Sequence, residues 1–172
     1  MRKNITIGIM IIVCFALQNV LFRSITFGGI GPNLMVVLTS SFGFMCGKKS
    51  GMIIGFLSGL LMDIFFGSVL GLYALIYMYI GYANGTFHKI FYPQDIKLPL
   101  ILIAGSDLTL NLITYCLLFL LRGRFHFLFY ISNIILPEIV YTIGITILLY
   151  PGILLINKSF EQAEKRSDQK FV

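Results

Sequence analysis

Three acidic residues stand within long apolar segments of the sequence and are the side chains best suited to chemistry: Asp63, Asp107 and Glu138. A carboxyl group inside hydrocarbon is costly, so by default it marks either a functional site or a required polar partner. No Lys or Arg stands in the same three segments as a fixed counter-ion. Three roles stay open for these acids, namely structural polar contacts, contact with a partner or ligand, and coupled transport of a proton or ion.

Helical spacing groups other polar residues around two of these acids. Asp107 shares a helical face with Asn111, and Glu138 shares one with Tyr141 and Thr142. We therefore predict a candidate intramembrane polar cluster formed by Asp107, Asn111, Glu138 and Tyr141.

Glycines recur every fourth residue on both sides of Asp63, at Gly43, Gly47, Gly51, Gly55, Gly59, Gly67 and Gly71. Small residues at this spacing let two helix backbones approach closely in lipid, where little hydrophobic force acts between helices. The stripe is most typical of packing within a protein's own bundle, and the alternative is a docking groove for another protein's helix. The second interpretation predicts a partner-helix groove lined by Gly51, Gly55, Gly59, Asp63, Gly67 and Gly71.

Signatures of catalysis are missing from the sequence. It contains no His-Glu-x-x-His, no Gly-x-Ser-x-Gly and no phosphate-binding loop, and the segment GFLSG places Ser58 wrongly for a nucleophile elbow. His88 and His126 fall in loops predicted on opposite membrane faces, and the three cysteines are far apart in apolar segments. We expect no catalytic residue, no metal site and no cofactor, and hence a protein that is not an enzyme.

The amino-acid composition indicates whether water or lipid surrounds this chain. Of its 172 residues 58% are apolar and 12% charged, its mean hydropathy is +0.91, and soluble domains carry about 25% charged residues. Lipid must therefore surround most of the polypeptide. The formal charge of +6 comes from basic residues that stand singly or in pairs rather than in a dense stripe, which argues against a nucleic-acid partner.

Six apolar segments approach the roughly 20 residues that cross a bilayer as a helix. They are residues 5–22, 30–47, 51–66, 70–87, 98–121 and 131–156. We predict an all-α bundle of about six transmembrane helices in one domain, residues 1–157, in which Pro137 bends the last span. Residues 158–172 are polar and are predicted to form a frayed cytoplasmic tail.

The distribution of Lys and Arg predicts the orientation of these spans. In a six-span arrangement one side holds ten of the thirteen basic residues and the other side holds Arg23, Arg122 and Arg124. Because cytoplasmic loops carry the excess of Lys and Arg, both termini are expected in the cytoplasm. The connecting loops are too short to hold a soluble domain.

The order of these features resembles the bacterial rod shape-determining MreD family. The resemblance rests on PNL at residues 32–34, on GFLSGLLMDIFFGSVLGLYAL at residues 55–75, and on a last span that carries Pro137 and Tyr141. Pro32 and the glycine-spaced block that contains Asp63 match the family's pattern.

The resemblance implies a non-enzymatic membrane subunit of the cell-shape and wall-elongation complex. Its implied direct partner is MreC, and through the complex MreB, RodA and a class-B penicillin-binding protein, in contact with membrane lipid. It also implies a helix arrangement similar to the substrate-binding subunits of energy-coupling-factor transporters, a fold-level analogy that carries over no ligand. The alternative is a small-molecule-binding subunit of a membrane transporter, with a cavity lined by Asp107, Asn111, Glu138 and Tyr141.

Overall fold

The computed structural model describes residues 2–25, 31–67, 69–90, 96–118 and 127–168, and nearly all of these are helical. The main helices are α1 (Arg2–Ile25), α2 (Leu34–Cys46), α3 (Lys48–Phe66), α4 (Leu72–Thr86), α5 (Lys97–Leu118) and α6 (Leu136–Asp168). A short 3-10 turn, Phe87–Ile90, follows α4. The described part of the chain contains no strand, so the predicted all-α bundle is confirmed.

Length and composition make part of this bundle capable of crossing a bilayer. Within the described residues, three helical segments are long and apolar enough, namely Lys48–Phe66, Lys97–Leu117 and Ile131–Ser159, while Ile5–Val20 and Leu34–Cys46 are shorter apolar helices. The span limits and the cytoplasmic position of both ends stay predictions. Arg122 and Arg124, which contributed to the orientation, lie outside the described residues.

Helix α2 forms the centre of the bundle. It contacts each of the other five helices, and every residue from Leu34 to Met45 is buried. Its 13 residues correspond to about 20 Å of helix, which is shorter than the roughly 30 Å hydrocarbon core. Pro32 and Asn33 directly precede this helix, and the Asn33 side chain accepts a hydrogen bond from Val36 N at 3.3 Å.

An irregular stretch of helix leads into α6. A helical turn, Phe127–Tyr130, and a π-helical segment, Ile131–Ile135, precede it, so Pro137 lies inside a continuous helical run directly after the irregular stretch. The bend at Pro137 stays a prediction. The helix also continues to Asp168, although residues 158–172 were predicted to be frayed. The Glu, Gln, Ala, Lys and Arg residues of this segment favour helix, so low apolar content did not end it.

Candidate functional site

Asp63 lies near the end of α3 and caps the start of α4. Its carboxylate accepts hydrogen bonds from Tyr73 N at 3.0 Å and from Ala74 N at 2.8 Å, two of the backbone groups that a helix N-terminus leaves unpaired. The positive end of the helix dipole favours the negative charge at this position. The side chain is 2% exposed, and both its oxygens are used within the chain.

The glycines after Asp63 form the turn that makes this cap reachable. A Cβ atom on Gly67 would lie 2.6 Å from the Asp63 carbonyl oxygen, so only glycine fits there. Gly71 adopts φ +97°, in the left-handed region that other residues rarely adopt. The motif Asp63-x3-Gly67-x3-Gly71 thus closes α3 and α4 into a tight hairpin.

The glycine stripe of α3 lies against α4 of the same chain. A Cβ atom on Gly51 would collide with the backbone of Gly81, and one on Gly55 with the Tyr77 carbonyl. One on Gly59 would overlap Tyr73 O. The predicted groove is therefore already filled by α4, which is the internal-packing alternative that the spacing left open. A partner helix could reach these glycines only by displacing α4.

The structure brings together three members of the predicted polar cluster. Glu138 on α6 neighbours the Asp107 carboxyl and the side-chain amide of Asn111, both on α5. Asn111 also donates a hydrogen bond to the backbone oxygen of Asp107 at 3.1 Å. The fourth predicted member, Tyr141, is 37% exposed on the outside of α6 and does not join the cluster. Its sequence neighbour Thr142 is fully buried instead.

Asn33 links this cluster to α2 and α4. Its backbone N–H donates to Thr142 Oγ1 at 3.1 Å, and its side-chain oxygen accepts from the Tyr77 hydroxyl at 2.9 Å. Its amide also lies beside the Glu138 carboxyl. Asn33 was identified from the sequence only within the PNL segment of the family resemblance, because no local pattern shows that it lies beside Glu138.

Asp107 differs from every other acid in the described part of the bundle. It is 0% exposed, and neither carboxyl oxygen has a hydrogen-bond partner among the described residues. The Thr142 side chain on α6 lies beside the Asp107 carboxyl, although the two form no hydrogen bond of regular geometry. A buried carboxyl without a donor is costly in its charged form. No group of three or more His, Cys, Asp or Glu side chains that could hold a metal ion occurs in the described ranges.

A membrane-facing groove runs between α4 and α5. Its volume is about 250 Å³, and the α4–α5 contact is far less extensive than the α3–α4 contact. Gly105 on α5 is exposed, with no atom within 4 Å of where its Cβ would stand. The lining residues are Ile80, Ala83, Asn84, Phe87, Ile101, Leu102, Gly105, Ser106 and Thr109.

Polar groups at this groove are mostly satisfied within the chain. Asn84 donates to Ser106 Oγ at 2.7 Å and to Ile80 O at 2.9 Å. The Thr109 hydroxyl donates to Gly105 O at 2.7 Å. The groove therefore combines small side chains with few unpaired polar groups, which suits close contact with an apolar helix in lipid.

Comparison with known proteins gives one match. A family model described as rod shape-determining protein MreD matches residues 1–160 of the chain. No curated protein and no solved structure matches significantly.

Proposed function

The chain belongs to the MreD family of rod shape-determining proteins, and from that premise we propose that it scaffolds MreC and the wall-synthesis proteins by packing of transmembrane helices. Membership implies a role in rod shape determination and a structural membrane protein rather than a member of a known enzyme family. The proposal concerns how the chain fulfils that role. MreC is the direct partner, and MreB, RodA and a class-B penicillin-binding protein are reached through the complex.

The α4–α5 groove is the observation that carries this proposal. The groove is an open surface at which the backbone of another helix can approach at little cost in free energy, because Gly105 is exposed and uncovered. Ala83 and Thr109 add small side chains to the same groove. Helix association in lipid depends on such close backbone contact. The glycine stripe on α3 cannot bind a partner helix unless the bundle rearranges, because α4 already covers it.

Leucine substitution at Gly105 tests the groove directly. The Cβ atom of Gly105→Leu would have no atom of the described chain within 4 Å, so we expect a folded protein that recovers MreC about tenfold less well, the effect of losing roughly 1.4 kcal/mol of binding. Recovery is measured by co-purification in mild detergent. The matched control is Gly144→Leu on α6, another exposed glycine with open space around it, and it should leave recovery unchanged.

The two variants distinguish the glycine in the α4–α5 groove, Gly105, from the exposed glycine on α6, Gly144. Normal MreC recovery by folded Gly105→Leu protein contradicts docking in the α4–α5 groove. Equal losses in Gly105→Leu and Gly144→Leu show a general effect of bulk on the membrane surface and contradict a specific groove. Cells that depend on Gly105→Leu should lose rod shape, whereas cells with Gly144→Leu should keep it.

Orientation belongs to the same proposal. We place the chain in the bacterial cytoplasmic membrane with both ends in the cytoplasm, because Lys48, Lys49, Lys89 and Lys97 then lie on the cytoplasmic side. Reporter fusions at each end should both indicate the cytoplasm. Opposite locations for the two ends contradict this topology.

A second candidate function is a small-molecule-binding subunit of a membrane transporter. The assembly of Asp107, Asn111 and Glu138 around Asn33 favours it, because convergent polar groups inside a bundle can bind a ligand. Genes adjacent to the chain's own gene discriminate between the two functions. Neighbouring MreB and MreC genes support the scaffold, and neighbouring genes for energy-coupling ATPases support transport.

A further inference from the structure

We propose that Asp107 and Glu138 form a binding site for one monovalent cation, either a proton or Na⁺, held between the carboxyl groups of α5 and α6. The site is separate from the α4–α5 groove. It involves the acid pair at the centre of the bundle rather than the surface that we assign to a partner.

The proposal rests first on the Asp107 carboxyl, which has no hydrogen-bond partner among the described residues. An ionised carboxylate that is fully buried and accepts no hydrogen bond is strongly disfavoured. Glu138 lies next to it, so full ionisation would also place two negative charges side by side. The lysines whose burial the structure describes are all exposed, namely Lys48, Lys49, Lys89, Lys97 and Lys158. A bound cation removes both costs.

The surroundings of Glu138 indicate that the pair keeps one negative charge. The side-chain amides of Asn33 and Asn111 lie beside its carboxyl, and amide N–H groups donate to a carboxylate. Helix α2 begins directly after Asn33, so its positive N-terminal end is close to the pair. One negative charge is therefore supported at Glu138 by two amides, whereas a second charge at Asp107 has only the Thr142 side chain beside it.

Valence and ligand type restrict the cation. The described residues contain no group of three His, Cys, Asp or Glu side chains, so a divalent metal would have only the two carboxylates of the pair as charged ligands. Two carboxyl groups, the Asn111 amide and the Thr142 hydroxyl offer oxygen atoms, which hard cations prefer. A single positive charge leaves one negative charge on the two carboxylates, which is the charge that the amides beside Glu138 can support.

Other ionisable groups that face the pair are phenols. Tyr73 and Tyr77 approach from α4, and Tyr130 approaches from the turn before α6. Phenols ordinarily titrate near pH 10. Helix α2 presents only amide and backbone groups here. A stability change between roughly pH 5 and pH 9 at this site therefore reports the two carboxyl groups.

The experiment measures thermal unfolding of the full chain in lipid nanodiscs at several pH values, in NaCl or in choline chloride of equal ionic strength. If a proton is bound, raising the pH in choline removes it and leaves two negative charges. The unfolding temperature should then fall by roughly 3 to 5 °C per pH unit. If Na⁺ is bound, NaCl should raise the unfolding temperature saturably while choline chloride does not.

Asp107→Asn is the decisive variant. An amide needs no proton at this pH and removes one of the two charges, so the variant should lose the response to pH and to Na⁺. Asp63→Asn is the control, because Asp63 is paired with backbone N–H groups and should keep the wild-type response at a lower baseline. If Asp107→Asn does not fold, Glu138→Gln serves in its place with the same expected loss.

Two results would overturn the proposal. One is a wild-type protein with the same unfolding temperature at all pH values and with both salts. The other is a response to pH or Na⁺ that persists undiminished in the variant protein, since the cation would then bind elsewhere.

Discussion

The α3–α4 hairpin and the α5–α6 side of the bundle contain the same residue types in opposite situations. Asp63 is buried with both carboxylate oxygens bonded to backbone N–H groups, whereas Asp107 is buried with neither oxygen bonded among the described residues. Gly55 is covered by the Tyr77 backbone, whereas Gly105 is open. The hairpin uses its small and acidic residues for its own stability, and the α5–α6 side leaves them available to bind something else.

This difference teaches that a motif's role depends on what covers it. A glycine stripe in a membrane helix gains dispersion contacts only where another backbone lies on it. On α3 that backbone is α4, so the stripe is already used. An intramembrane acid likewise indicates a site only where the chain has not already paired it.

The largest expected effect comes from Gly55→Leu. The added side chain would overlap the Tyr77 carbonyl in the closest helix pair of the bundle, and overpacking of this kind costs about 3 kcal/mol or more when backbone must move. We expect loss of folded protein, measured as monodisperse yield in detergent. Gly105→Leu should fold normally. Equal yields for the two variants would contradict the claim that Gly55 is covered by α4 whereas Gly105 is open.

Substitution of the two aspartates should change stability in different directions. Asp63→Ala removes the acceptor for two helix N-terminal amides and should destabilise the protein by about 2 kcal/mol. Asp107→Asn should be neutral or stabilising near neutral pH, because its amide needs no bound cation and replaces a buried carboxyl that accepts no hydrogen bond among the described residues. Denaturant unfolding of both variants measures the difference.

A conservative variant sharpens the same comparison. Asp63→Asn keeps one acceptor oxygen, so its loss of stability should be smaller than that of Asp63→Ala. A destabilisation by Asp107→Asn as large as that by Asp63→Ala would show that Asp107 is paired in the folded protein.

The smallest expected effect distinguishes glycines that fix a conformation from those that do not. Gly71→Ala places a side chain at φ +97° and should cost about 1 kcal/mol. Gly105→Ala adds a methyl group to an open helical position and should be neutral or slightly stabilising, because alanine favours helix. Thermal unfolding of the two variants checks the sign. A loss of stability in both would indicate that Gly105 is covered in the folded protein.

Much of the fold could be predicted from the sequence, because apolar segments in lipid have to be helical. The same argument identified the costly acids and grouped Asp107, Asn111 and Glu138, which the structure places beside one another. It selected Tyr141 instead of Thr142, since neighbouring helical residues point about 100° apart and spacing alone does not choose between them.

The remaining features depend on which helices become neighbours. The spacing of Gly51, Gly55 and Gly59 defines a face, but it does not say that α4 covers that face. The α4–α5 groove joins residues from two separate helices, and no local pattern marks it. Asn33 enters the polar cluster only because α2 is short and central.

The burial of α2 has a consequence for biogenesis. A helix that touches no lipid and is about 20 Å long cannot be held in the bilayer by its own hydrophobic length, so its final position depends on the helices that enclose it. Chains truncated soon after Cys46 lack α3 to α6 and should not hold α2 stably. Topology measured on such truncated chains would then differ from that of the complete protein, for a reason that lies in the order of synthesis.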